Sequence, residues 1–132
     1  MTGTGNPELR MKLRLEVLAV ARLGPGEAIP GWATAGRLWS IVRSEDELSI
    51  VCAEADVPEG VASVERDWRA LQLAGPIPFG LTGILASVLN PLAGASIAIF
   101  AFSTFDTDYV LVKSLDLDRA MEALRGAGHV IL

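Results

Sequence analysis

Leu81-Thr82-Gly83-Ile84-Leu85-Ala86-Ser87-Val88-Leu89-Asn90-Pro91-Leu92 is the stretch on which the fold turns. Leu81, Ile84, Leu85, Val88, Leu89 and Leu92 recur at three- and four-residue spacing, a continuous apolar stripe along one helix face. Thr82 stands near the N-terminus of that helix, and Pro91 loosens its last turn. Upstream, Trp68 to Ala74 reads as a strand ending in the loop Gly75-Pro76-Ile77-Pro78-Phe79-Gly80. Downstream, Ser96 to Ser103 is a nearly all-apolar strand, and Tyr109 to Lys113 is its hairpin partner across Thr104-Phe105-Asp106-Thr107. The apolar run predicts that this pair is central in its sheet. A second helix is predicted over 115–126, with Asp116 and Asp118 in its first turn and Arg125 in its last, charges that complement the helix dipole. His129 to Leu132 returns as a final strand. The order is β-α-β-β-α-β, the split β-α-β plan.

The first half reads as a shortened copy. Lys12 to Arg22 is a strand, Leu23 to Ile29 a Gly- and Pro-containing loop, and Pro30 opens a short helix through Arg37. Leu38 to Arg43 and Leu48 to Ala53 form a hairpin across Ser44-Glu45-Asp46-Glu47, with Ile41, Leu48, Ile50 and Cys52 pointing inward. The expected division is a disordered leader over 1–10, a first module over 11–66 and a second over 67–132. The fold class is α+β, built of antiparallel sheets with helices on one face.

Composition narrows the function. In 132 residues, 11 Lys and Arg stand against 16 Asp and Glu, a formal net charge of −5, so no basic field exists to neutralise phosphates or an anionic membrane. Nucleic acid and membrane are therefore not expected partners. One Cys and one His exclude a disulfide framework and a thiolate-rich metal site, which suits a reducing cytoplasm. The start of the chain has no apolar run behind a basic segment, the pattern of a signal or transit peptide. Ala70 to Phe105 carries no charge, but Gly75, Pro76, Pro78, Gly80, Gly83, Pro91 and Gly94 interrupt any run near the roughly 20 residues that a spanning helix needs. No Walker or dinucleotide fingerprint occurs, so no cofactor is expected.

In the split plan the loop before the first helix and the turn between the second and third strands lie at one end of the module. Phe79-Gly80-Leu81-Thr82-Gly83 offers backbone N–H groups at a helix N-terminus, suited to a carboxylate, and the turn offers Asp106 and Asp108, suited to an ammonium. Together they suit a free α-amino acid. Taken singly, the glycines serve the turn and the aspartates the hairpin; the combination is what points to a ligand. Cys52 is expected as a small buried hydrophobe and His129 as an exposed strand residue, with no nucleophile and base brought together. Trp32, Trp39 and Trp68 are expected to pack in the core rather than at an interface.

The sequence resembles the ACT-domain family: small proteins with paired ACT modules, the cytosolic arginine sensors of CASTOR type and the regulatory modules of aspartate kinase. The segments that carry the resemblance are Ile29-Pro30-Gly31-Trp32, Asp46-Glu47-Leu48-Ser49-Ile50-Val51-Cys52, Thr82-Gly83-Ile84-Leu85-Ala86-Ser87-Val88-Leu89 and, above all, Ser103-Thr104-Phe105-Asp106-Thr107-Asp108-Tyr109-Val110-Leu111-Val112. It implies two ferredoxin-like ACT modules, the first with shortened helices, that regulate rather than catalyse. It implies a small ligand, usually an amino acid, at a module or subunit interface, a homodimer, and a separate regulated protein. The implied ligand positions are Phe79, Gly80, Thr82, Gly83, Ile84, Thr104 and Asp106, to which the turn adds Asp108. The alternative is a dimerising interaction module without ligand binding. An enzymatic reading rests on the Asp106 and Asp108 pair alone.

Overall fold

The computed structural model describes residues 8–77, 80 and 82–132. Seven strands are β1 (Arg10–Leu23), β2 (Ser40–Arg43), β3 (Leu48–Ala53), β4 (Val64–Leu73), β5 (Ile99–Ser103), β6 (Asp108–Lys113) and β7 (Val130–Ile131). Two helices, α1 (Ile84–Gly94) and α2 (Leu117–Gly126), lie in the second half. Hydrogen bonding orders the strands β2-β3-β1-β4-β6-β5, with β7 on β1. No helix among the described residues is long and apolar enough to cross a membrane.

The chain divides into two compact units: a helical unit of residues up to Arg14 with Ala70–Leu132, and a contiguous unit of Leu15–Arg69. The sequence reading had given Met11 to Arg14 to the first module. The helical unit claims them because β1 is long enough to serve both units, and its first residues pair in parallel with β7, Arg10 opposite Val130 and Met11 opposite Ile131. Carbonyls alternate sides along a strand, so Leu9 and Met11 accept from Val130 and Leu132 while Arg10 accepts from Ala74 of the other neighbour. The start of β1 is thus interposed between β7 and β4, where the simple split plan sets the last strand beside the first of its own module. The leader expected over 1–10 is corrected at its end, since Leu9 is half-buried and Arg10 lies in β1; residues 1–7 lie outside the described residues.

In the helical unit α1 and α2 cover one face of the sheet. Leu71 and Leu73 of β4, Val110 and Val112 of β6 and Met11 of β1 meet Val88 and Leu92 of α1 and Ala120 and Leu124 of α2 in one cluster. The two-residue period of the strands and the three-to-four-residue period of the helices converge on it. β5 is at the edge of the sheet, not central, because it pairs only with β6, from Ile99 opposite Val112 to Ser103 opposite Asp108. Its apolar residues are half-buried, and on the face away from the helices Phe102 stacks on Tyr109 with centroids 4.9 Å apart.

Two further elements are shorter than their sequence reading. α1 starts at Ile84, capped by Gly83 in the left-handed region at φ 75°, so Thr82 precedes the helix and makes no cap bond. α2 starts at Leu117 after a 3-10 turn over Ser114–Asp116, which leaves Leu115 exposed.

In the contiguous unit the 30–37 helix is replaced by a single 3-10 turn over Gly31–Thr34. Ala19 and Ala21 of β1, Leu48, Ile50 and Cys52 of β3, Ala33 and Val57 form its core. β3 pairs antiparallel with both β1 and β2, so Ile50 sits opposite Ala21 on one side and Ile41 on the other. Trp68 is buried and Trp32 half-buried against the core, whereas Trp39 is exposed, which corrects its expected place in the core.

Candidate functional site

The loop after β4 is attached to the β5–β6 turn through the backbone. Ile77 N–H donates to the Asp106 carbonyl at 2.7 Å, and the Thr107 hydroxyl donates to the Leu73 carbonyl at 2.6 Å. Thr107 is buried for this reason, although a turn residue is expected to be solvated. At Gly75 a Cβ would stand 2.9 Å from the Asp106 carbonyl oxygen, so only glycine permits this approach without a shift. The turn is closed on itself by Thr104 N–H donating to the Thr107 carbonyl at 2.8 Å, with the Thr104 hydroxyl 3.2 Å from that carbonyl and accepting from Thr107 N–H at 3.3 Å.

This attachment leaves an open cavity of about 300 Å³ between the turn and the start of α1. Of the predicted positions, Gly83, Ile84, Thr104, Asp106 and Asp108 line it; Gly80 and Thr82 are exposed and do not, and Phe79 lies outside the described residues. The sequence reading missed Ile77, Leu85, Ser103, Phe105 and Thr107. Ser103 was within reach of it, since hairpin register sets Ser103 opposite Asp108.

The polar groups are not equivalent. The Asp108 carboxylate accepts from the Ser103 hydroxyl, and the Thr104 hydroxyl is engaged in its own turn. Among the described residues the Asp106 carboxylate has no hydrogen-bond or ion-pair partner. Opposite it, α1 presents its first N–H groups, which no helix satisfies internally; among the described residues Ser87 N–H, bonded to the Gly83 carbonyl at 3.0 Å, is the first to find a partner. The cavity is thus acceptor-rich at the turn, donor-rich at the helix start, and apolar at Ile77, Ile84, Leu85 and Phe105.

His129 and Cys52 stand outside this site. His129 is buried, contrary to its expected exposure: Nδ1 accepts from Leu9 N–H at 3.1 Å and Nε2 donates to the Ser87 carbonyl at 2.8 Å. It ties the first strand to α1, a role that no local pattern announces. Burial first, and the Asp56 carboxylate second, push the Cys52 thiol up to about 11 against the opposing pull of Arg66, so it is a packed side chain rather than a nucleophile. No three His, Cys, Asp or Glu among the described residues are grouped to hold a metal ion.

Residues 63–126 match the ACT domain family model, and a model of a separate N-terminal domain matches residues 16–60. The match places an ACT domain at residues 63–126. It is similar to a protein of Agrobacterium tumefaciens of known crystal structure, 43% identical, with a TM-score of 0.90 over 96% of this chain and 93% of that one. The regulatory subunit of aspartate kinase from Thermus thermophilus shares the fold, with a TM-score of 0.60 at 12% identity over 89% of this chain and 96% of that one. The human cytosolic arginine sensor for mTORC1 subunit 1 is 36% identical over 59 residues, 44% of this chain and 18% of the sensor. The chain spans well under two thirds of such curated relatives, 57% in the case of human CASTOR3P.

Proposed function

We propose that the protein is a non-enzymatic cytoplasmic regulator that binds a free amino acid at the helical unit. The observation that carries this reading is the Asp106 carboxylate, without a partner among the described residues, in one cavity with the first N–H groups of α1. An α-ammonium on Asp106 and an α-carboxylate on the amides of Ile84 and Leu85 satisfy both ends, and the side chain lies against Ile77 and Phe105. The arginine-sensor and aspartate-kinase likenesses support an amino-acid ligand and a regulatory role. The cavity is open on one side, which suits closure by a second subunit, so that ligand binding and homodimer geometry are coupled and signal to a separate regulated protein.

A thermal-shift screen against the twenty amino acids at millimolar concentration, with calorimetry on any hit, tests the reading. A ligand at one hundred times its dissociation constant adds about 2.7 kcal/mol of stability. Asp106→Asn is expected to remove about 1.5 to 3 kcal/mol of binding with little effect on folding. The second reading, a dimerising module without a ligand, is favoured by the internal engagement of Thr104 and Asp108; a stable dimer indifferent to all twenty amino acids would establish it.

A further inference from the structure

His129 is the single histidine of the chain, and it is buried where α1, the end of α2 and the start of β1 meet. Its backbone is fixed first: Gly128, in the left-handed region at φ 97°, turns the chain out of α2, and His129 N–H donates to the Leu124 carbonyl at 3.0 Å. The ring then meets two backbone groups whose roles cannot change. The Ser87 carbonyl only accepts, so Nε2 carries the ring proton; Leu9 N–H only donates, so Nδ1 is bare.

The two sides respond differently to a second proton. A helical carbonyl takes its hydrogen bond from the N–H four residues on, and for Ser87 that residue is Pro91, which has none. His129 supplies a donor to this buried carbonyl at 2.8 Å. An imidazolium keeps its proton on Nε2, so this bond survives protonation and becomes charge-assisted. At Nδ1 the new proton points at Leu9 N–H, donor against donor. Acid therefore holds α1 and rejects the start of β1. Leu9 in turn is the first of a line of backbone bonds. Its carbonyl accepts from Val130 N–H at 2.8 Å, and the next carbonyl, that of Arg10, accepts from Ala74 N–H at 2.7 Å. Ala74 leads into the loop whose Ile77 N–H donates to the Asp106 carbonyl at the cavity rim. No charged group competes for the ring, since both nitrogens are taken by backbone. α1 and β7 carry no charged side chain, and Glu8, Arg10 and Lys12 on the β1 side are exposed. On α2, Asp118, Glu122 and Arg125 are exposed, and Arg119 is paired with Asp116.

We propose that His129 is a proton-operated latch: with Nδ1 bare it holds Leu9 and, behind it, the loop of the Asp106 cavity, and when protonated it stays on Ser87 and releases Leu9. The latched state binds one proton fewer than the released one, so the latch is closed at the upper end of the range and opens as pH falls. Histidine changes charge between about pH 8 and 5, which sets the interval over which the device works. Every bond in it belongs to the chain itself, so the latch stands whether or not the cavity takes a ligand.

The test uses the full chain without ligand and follows two signals by NMR from pH 8 to pH 5: the nitrogen resonances of the one imidazole, and backbone amide protection corrected for intrinsic exchange. At pH 8 the ring is expected to show a bare Nδ1 and a proton on Nε2. Through the ring's own transition, protection at Val130 and Ala74 is expected to fall about tenfold, what the loss of one hydrogen bond gives, while Ser87 N–H keeps its protection. His129→Gln, which offers a donor and an acceptor but does not titrate in this interval, is expected to remove the pH dependence at both amides. Should His129→Gln fail to fold, the coincidence of ring and amide transitions in the unsubstituted chain carries the test alone. A proton on Nδ1 at pH 8 overturns the proposal. So does a ring that titrates with Val130 and Ala74 unchanged, a ring still neutral at pH 5, or an amide transition that survives in His129→Gln.

Discussion

The two units close their cavity-bearing ends by different means. In the helical unit the loop and turn are joined by backbone and by a buried threonine, through Ile77 to Asp106 and Thr107 to Leu73. In the contiguous unit the corresponding end is braced by the long side chains of Arg22 and Arg43, which reach across to backbone carbonyls. The cores differ in step: Leu71, Leu73, Leu92, Leu124 and Met11 against Ala19, Ala21, Ala33 and Cys52. Two full helices cover the first core, whereas 3-10 turns are the helical elements of the second. A unit that loses its helices keeps its sheet by using smaller side chains beneath it and by exchanging buried contacts for arginine braces at its surface.

The largest expected effect puts the cores to the test. Leu73→Ala and Leu48→Ala remove the same atoms from sites that are both fully buried. Leu73 lies among large neighbours under two helices, and the loss there is expected to be about 4 kcal/mol; beside small residues and loops that can follow the gap, Leu48→Ala is expected to cost about 2 kcal/mol. Denaturant titration of the two variants measures both, and equal costs would break the comparison. A smaller effect sharpens the contrast in how the ends are closed. Thr107→Val removes a buried hydroxyl and leaves the Leu73 carbonyl short of that donor, at about 1.5 kcal/mol, with weaker ligand binding at the Asp106 cavity. Arg43→Gln, on the exposed brace, should stay within about 0.5 kcal/mol on the same titration.

The last effect concerns pH. Below about pH 9 the Cys52 thiol is protonated in the folded and unfolded chain alike. Between that and about 11 the unfolded chain ionises while the fold holds the proton, so the unfolded state is favoured and stability falls as pH rises. Cys52→Ala is expected to flatten that part of the stability profile. A slope unchanged by the substitution would show that another group carries it.

Local periodicity made much of this fold legible. The stripe from Ile84 to Leu92 and the alternation of Leu48, Ile50 and Cys52 are set by neighbours in sequence, and both face their cores as expected. The position of a strand in a sheet is set by distant partners. Ser96 to Ser103 therefore read as central although β5 is an edge, and Met11 to Arg14 read as part of the first module although β7 and α2 lie in the unit they join. His129 was misread for the same reason: its two partners, Leu9 and Ser87, lie 120 and 42 residues away. At the candidate site, Asp106 and Asp108 look alike in sequence, and only the hairpin register, which gives Asp108 to Ser103, separates them.

The splitting of the helical unit has a consequence for the order in which the chain closes. Arg14 and Gln72 are joined side chain to side chain at 3.1 Å, yet the whole contiguous unit lies between them in sequence. Bringing the ends of so long a flexible segment together costs on the order of 3 kcal/mol of chain entropy. Once Leu15–Arg69 has formed, with Arg22 N–H bonded to the Ser63 carbonyl, most of that search is already complete. The contiguous unit, once formed, thereby acts as a clasp that removes most of this entropy cost from the closure of the helical unit.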